Sequence, residues 1–391
     1  MKYFVLLFSL IMFIGCTSTE QVQQKAEVIS FAETRMYNET SLPCSDNKVG
    51  FVGRVDSSRK DVVRFSYPGI QVKCFFDGIQ LSVDITDYGS DGDVNINYFE
   101  VLLDGESKGN IEIKEGRNSY DLTEFLLEGK HELTLYKRTE SFVGICGVHG
   151  FNGHGEFFEL VEREQLRMEF IGNSIICGYG NGLSIAMPPE GNPTTGFTGK
   201  NENNFMSYSS IVGRQLDAEV CQVCYSGRGI FRNCDGTEDY TIPKTYHKII
   251  PDEPGSKWDF SSWIPDVVLV NLGTNDFAKD PTLPLTDSLL EEAYRRFLWV
   301  VKNYYPESKI VLLGSPMITD VYPPRAQHAT RMRKIQEKLV SELNRNKEQG
   351  CFYHEFEPQL PPYGEDWHPA KHTHQKMAYS LLQFLDSQVL E

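Results

Sequence analysis

Basic residues are in deficit. The chain sets 38 Lys and Arg against 54 Asp and Glu, a formal net charge of −16 over 391 residues. Nothing in that balance would neutralise phosphates over an extended surface, which argues against nucleic acid as a partner and for a solvated acidic surface. Cysteines number nine, a density at which disulfides are optional even in an exported protein. Cys221 and Cys224 form a CxxC, but "DAEVCQVCYSG" alternates as a strand does. Alternation turns residues three apart to opposite faces, which suits neither a zinc knuckle nor a redox helix. No set of His, Cys and carboxylates has metal-ligand spacing, so no metal and no cofactor are expected. Internal repeats are absent as well.

What is present is enough apolar material to fold. Hydrophobic residues make up 40% and aromatics 12%, which argues against wholesale disorder, and the length suggests two domains. The opening "MKYFVLLFSLIMFIGC" reads as an export signal. Lys2 gives the positive start, and Tyr3 to Ile14 is too short to span a bilayer. Its end, Phe-Ile-Gly-Cys, resembles a bacterial lipoprotein lipobox, with Cys16 as the residue that takes the lipid. An ordinary signal peptide or an uncleaved anchor is the alternative. Residues 17–27, polar at first, would be a tether.

From 28 to 162 the chain is short alternating runs, among them "VVRFSYPGIQVKCFF", "IQLSVDITDY", "VNINYFEVLLDG" and "HELTLYKRT", punctuated by turn residues. That pattern predicts an all-β jelly-roll sandwich. From 163 to 391 the pattern changes. "RMEFIG", "EVCQVCYSG", "PDVVLVNLG", "KIVLLGSP" and "CFYHEF" read as strands, and the continuous apolar runs among them suit a parallel sheet buried on both faces. "NNFMSYSSIVGRQL", "DSLLEEAYRRFLWVVKNYY", "AQHATRMRKIQEKLVSELNRN" and "THQKMAYSLLQFLDSQVL" alternate with them at helical period. The prediction is a three-layer α/β/α, flavodoxin-like domain with its site at the carboxyl ends of the strands.

Three segments fall at predicted strand ends: "IGNSIICGYG", "YSGRGIFRN" and "NLGTNDF". A fourth, "YGEDWHPAKHTHQKMA", precedes the last helix. Singly each has a plain reading, since Gly-x-Ser after a strand is often only a capped turn. Together, and in this order, they assemble a serine hydrolase. Ser174 would be the nucleophile. Its own N–H, that of Gly227 (or Gly229) and the side-chain amide of Asn275 could converge on one oxyanion. His368 could take the serine proton and Asp366 could hold the imidazole in the needed tautomer. Trp367 could stack on a sugar ring or pack in the interior. Asp276 is expected to support the loop carrying Asn275, and His372 and His374 to cap at the start of the last helix.

This constellation resembles the SGNH (GDSL) hydrolase superfamily, and more closely carbohydrate esterase family two. The nucleophile block matches Gly172, Asn173, Ser174, Gly178, Tyr179 and Gly180. The oxyanion glycine matches Gly227, the asparagine Asn275 and the base His368 in "DWHP". In the N-terminal half "GRV", "YPGIQ", "LLDG" and "HELTLYKRTE" look like the sandwich that precedes the hydrolase domain there. Two departures stand out. The usual Asp before the nucleophile is Asn173, and the usual Asp-x-x-His is Asp366-x-His368. The family implies an alternative to Asp366, a backbone carbonyl that orients the histidine.

The expectation is a lipid-anchored exported esterase, held at a membrane, that removes acetyl groups from polysaccharides or oligosaccharides such as acetylated xylan, mannan or glucan. Two other readings stand beside it. One is another esterase of the superfamily, acting on lysophospholipids, thioesters or peptidoglycan O-acetyl groups. The other is a glycan-binding lipoprotein without activity.

Overall fold

The computed structural model describes residues 37–89, 95–161, 163–185, 196–280, 282–345 and 350–390. The export signal, Cys16 and the tether lie outside the described residues. Among those described, no helix is long and apolar enough to cross a membrane.

The named strands of the first domain pair antiparallel. Its strands are β1 (Glu39–Pro43), β2 (Gly50–Val52), β3 (Val63–Phe65), β4 (Gln71–Asp87) and β5 (Asn97–Leu103). They continue as β6 (Glu106–Ile113), β7 (Gly116–Asp121), β8 (His131–Lys137) and β9 (Cys146–Phe158). The spine runs β1-β9-β4-β8-β5-β6, with β2 and β7 on β4 and β3 on β9. β4 runs for 17 residues, and a strand of that length keeps one face inward only while its phase holds. It buries Val72, Cys74 and Phe76, then Leu81, Val83 and Ile85. The change from even to odd positions occurs where the pairing with β9 shifts between Gly78 and Gln80. An extra residue at this bulge, Ile79, is left at 65% exposure and restores the inward phase.

The second domain carries a parallel sheet of β10 (Arg167–Gly172), β11 (Glu219–Cys224), β12 (Val267–Asn271), β13 (Lys309–Leu313) and β14 (Cys351–His354), ordered β11-β10-β12-β13-β14. Helices α2 (Asp287–Tyr304) and α3 (His328–Arg345) pack one face through Leu290, Phe297, Ile335 and Leu339. Helices α1 (Tyr208–Gln215) and α4 (Lys371–Phe384) pack the other through Val212, Met377 and Leu381. Helix α1 begins later than its apolar period suggests because Ser207 caps it, its side chain accepting from Ser210 N. Cys221 and Cys224 belong to the clusters on opposite faces of the sheet, as strand alternation requires. The strand order reverses at β10, between β11 and β12. In such sheets the carboxyl ends at the reversal form the natural crevice, and the segments holding Ser174, Gly227 and Asn275 leave from those three strands.

The two domains share buried polar contacts. Arg54 Nη2 donates to Glu169 Oε1 at 2.8 Å, and both side chains are fully buried. Tyr136 of β8 donates to Asn204 Oδ1 at 2.6 Å.

Candidate active site

Strand β10 delivers the chain to Asn173, whose extended backbone and side chain cap a single helical turn, Ser174–Cys177. Asn173 Oδ1 accepts from Ile175 N at 3.2 Å, so asparagine supplies the acceptor that an aspartate would. Gly178 closes the turn by donating to Ser174 O at 3.0 Å. Gly180 shows why small residues follow the serine. A Cβ there would lie 2.3 Å from Glu365 Cβ, and Gly180 O accepts from Glu365 N at 3.1 Å. The bare backbone is the surface on which the histidine loop is seated.

His368 Nε2 lies 2.8 Å from Ser174 Oγ, and Nδ1 lies 3.0 Å from the carbonyl oxygen of Glu365. A carbonyl can only accept, so Nδ1 carries the hydrogen and Nε2 presents its lone pair to the serine hydroxyl. Burial pushes His368 down to about 4, against the Glu365 carbonyl and the Asp366 charge, which pull it up. It is therefore neutral, the state a base needs. The ring of Tyr179 stacks on the imidazole at 4.2 Å between centroids.

The expected role of Asp366 is corrected here. The acceptor of the Nδ1 hydrogen is the carbonyl of Glu365, while the Asp366 carboxylate accepts from Tyr179 Oη at 2.7 Å and from Gly196 N at 3.1 Å. The reason is backbone geometry. Asp366 and Trp367 both hold left-handed conformations, φ +46° and +64°, a costly pair for residues other than glycine. That double turn brings the carbonyl of residue 365 to the ring. Glu365 was missed in the sequence. Its carboxylate, buried, accepts from Thr198 Oγ1 at 2.5 Å and Asn201 Nδ2 at 2.7 Å, which anchors the loop.

On the other side of the serine, Gly227 holds φ +75°, a conformation that excludes ordinary side chains. The N–H of Gly229, by contrast, donates to Asn233 Oδ1 at 3.4 Å. Asn275 Nδ2 donates to Arg228 O at 2.8 Å, and its second hydrogen is left for an incoming oxygen. Asp276 supports a different loop from the one expected. Its buried carboxylate accepts from Ile230 N at 3.0 Å, Phe231 N at 2.7 Å and Arg232 N at 2.9 Å. Burial raises this carboxyl and the three amides pull it back. His374 caps, but for another helix. Its Nδ1 accepts from Tyr208 N at 3.2 Å, at the start of α1, while His372 Nε2 lies 3.3 Å from Thr373 Oγ1.

Trp367 is 39% exposed beside Tyr363, at 5.1 Å between ring centroids, so it does not pack in the interior. A run of rings that the sequence did not reveal lines the site. Phe197 meets Tyr179 at 5.0 Å and Phe142 at 4.6 Å, and Phe142 lies 6.2 Å from Tyr225. Phe142 comes from the antiparallel domain. The structure also gathers Glu140, Cys177 and Glu202, which offer ligand atoms within 4.8 Å of one another although no sequence spacing links them. Glu140 is already engaged by Ser226 N at 2.6 Å. Burial raises both carboxyls, and the Glu140 charge raises Glu202 further.

A carbohydrate esterase 2 N-terminal family model matches residues 51–159, and a GDSL-like lipase/acylhydrolase model matches residues 170–376. A solved family two carbohydrate esterase from Clostridium thermocellum, in complex with cellohexaose, is 31% identical with a TM-score of 0.78, covering 87% of this chain and 98% of that one. This chain belongs to carbohydrate esterase family two. That places it in the class of carboxylic ester hydrolases. Within the family it is 32% identical over 351 residues to the cellulase/esterase CelE of Acetivibrio thermocellus, which is 88% of this chain. The chain spans 40% of the length of CelE. An acetylxylan esterase / glucomannan deacetylase of Cellvibrio japonicus is 24% identical over 352 residues, 89% of this chain and 91% of that protein.

Proposed function

We propose that this family two esterase removes O-acetyl groups from polysaccharides or oligosaccharides such as acetylated xylan, mannan or glucan, through an acyl-enzyme on Ser174. The observation that carries the reading is the 2.8 Å contact between Ser174 Oγ and an Nε2 whose lone pair is set by the Glu365 carbonyl. Ser174 Oγ attacks the acetyl carbonyl carbon while His368 Nε2 takes its proton. The oxyanion that forms is accepted by the N–H groups of Ser174 and Gly227 and by Asn275 Nδ2. The intermediate collapses, the C–O bond to the sugar breaks, and His368 returns the proton to the departing sugar oxygen. Water, deprotonated by the same imidazole, then releases acetate and restores Ser174. The Glu365 carbonyl dipole stabilises each transient imidazolium. Trp367, exposed at the mouth, offers an apolar face to a sugar ring. Relatives named acetylxylan esterase / glucomannan deacetylase and a cellohexaose complex of a related esterase support this substrate class.

The test is acetate release from defined mono-acetylated sugars and from acetylated mannan and xylan, set beside longer acyl esters. Wild type should release acetate and Ser174→Ala should release none while keeping its melting temperature. Turnover by folded Ser174→Ala, or a preference for long acyl chains, would overturn the reading. The lipobox supports a lipid on Cys16 and a position at the bacterial membrane, facing periplasm or exterior. Cys16→Ser should shift the protein from the membrane to the soluble exported fraction, and unchanged retention would rule that anchor out.

A further inference from the structure

Two buried carboxylates hold the segment that carries Gly227, and one of them comes from the other domain. Asp276 fixes residues 230–232 through their amides. Glu140 fixes the near end. Its carboxylate accepts from Ser226 N at 2.6 Å and also from Ser226 Oγ. Glu140 is fully buried and lies between β8 and the short turn Ser141–Val143 of the antiparallel domain. It is itself gripped, its N–H donating to Glu202 Oε2 at 2.9 Å and its carbonyl accepting from Lys137 Nζ at 3.3 Å. Ser226 directly precedes Gly227, so the peptide plane that holds the Gly227 N–H is set by where Ser226 is held. The contact thus crosses between the two domains, from a carboxylate of the antiparallel one to a backbone amide and hydroxyl of the parallel-sheet one.

We propose that Glu140 is a positioning residue for ester hydrolysis, through which the antiparallel domain holds Ser226 and aims the Gly227 N–H at the developing oxyanion. The inference rests on the serine-esterase reading above. It explains why the sandwich belongs to the catalytic unit: it supplies one of the two clamps on an oxyanion donor. An oxyanion donor acts on charge that appears only in the transition state, so its displacement should lower kcat and leave KM nearly unchanged.

The experiment measures kcat and KM on 4-nitrophenyl acetate and a mono-acetylated xylo-oligosaccharide for wild type, Ser174→Ala, Glu140→Ala, Glu140→Gln and Glu140→Asp. Glu140→Ala should lower kcat by about 30- to 100-fold with KM within about threefold, the scale of a misplaced oxyanion donor. In Glu140→Gln the amide oxygen still accepts from Ser226 N and the amide nitrogen can donate to Ser226 Oγ, so kcat should recover to within about fivefold of wild type. Should Glu140→Ala fail to fold, Glu140→Asp serves. Its shorter side chain keeps the charge but draws Ser226 back, and kcat should fall about tenfold. Wild-type kcat in the Ala or Asp variant, a rise in KM at constant kcat, or a Gln variant as poor as Ala would overturn the positioning role. An inactive wild type or an active Ser174→Ala would overturn the esterase reading and this inference together. An active wild type with a dead Ser174→Ala and an unaffected Glu140→Ala would remove the inference alone.

Discussion

At the scale of single residues, the decisive feature is which atom accepts the Nδ1 hydrogen of His368. The Glu365 carbonyl does so at 3.0 Å, and it remains when the side chain of Asp366 is removed. Asp366→Ala should therefore cost about tenfold or less in kcat/KM, from the loss of its contacts to Tyr179 and Gly196, whereas loss of the acid from a serine protease triad costs about 10⁴. His368→Ala, measured beside it, should be inactive. A loss near 10⁴ for Asp366→Ala would return the aspartate to the orienting role. The same residue sets the pH profile. An ordinary histidine gains its proton near 6.5, but burial holds His368 at about 4. The base is competent above that value and is lost as pH falls through it, so the acid limb of kcat/KM should have its midpoint near 4. A midpoint close to 6.5 would mean that the ring is solvated. Sequence spacing pointed to Asp366 because a carboxylate two residues from a histidine can reach it. It could not show the left-handed pair at Asp366 and Trp367, which swings the carbonyl of 365 inward.

At the scale of elements, the site depends on where strands end. β10, β11 and β12 each release a segment at the crevice, and the Asn275–Phe277 turn after β12 places Asn275 Nδ2 against Arg228 O at 2.8 Å. Asn275 thus belongs to the same clamped loop system as Gly227. Asn275→Ala should lower kcat by roughly 10²–10³ with little change in KM, the signature of a donor used only in the transition state. If KM rose while kcat held, Asn275 would be binding the ground state. The parallel strands were legible because strands buried on both faces must be apolar without interruption, as in Val267–Asn271. β4 was not legible as one element. Its two halves read as separate runs because the bulge at Ile79 reverses the phase of alternation, and only pairing with β9 reveals that the strand continues. Glu140 and Glu202 were equally hidden. They lie 62 residues apart on unrelated motifs, and only the packing of the two domains brings Glu202 to Glu140 and Glu140 to Ser226.

At the scale of the whole molecule, the interface between the domains is the feature composition describes least. Arg54 sits in "FVGRVDSS", where nothing marks it as buried, yet it has 0% exposure. Glu169 offered the better signal, a charge in the middle of the apolar strand "RMEFIG". The two meet at 2.8 Å, Tyr246 Oη donates to the second Glu169 oxygen at 2.6 Å, and Arg54 also donates to the carbonyl of Lys248 at 3.1 Å. The Glu169 charge raises the guanidinium against burial, which would lower it, so Arg54 stays ionised in a place where its charge is not tolerated alone. Removing one partner should be worse than removing both. Glu169→Ala leaves a buried guanidinium without its counter-charge and should cost about 3–5 kcal/mol of stability. Arg54→Met leaves the carboxylate stranded and should cost a similar amount. The double variant Arg54→Met, Glu169→Leu removes both charges at comparable volume, so its cost should fall well below the sum of the singles, limited by the carbonyls and the Tyr246 hydroxyl that lose partners. Denaturant unfolding of the four proteins closes the cycle. Additive losses would show that Arg54 and Glu169 act independently.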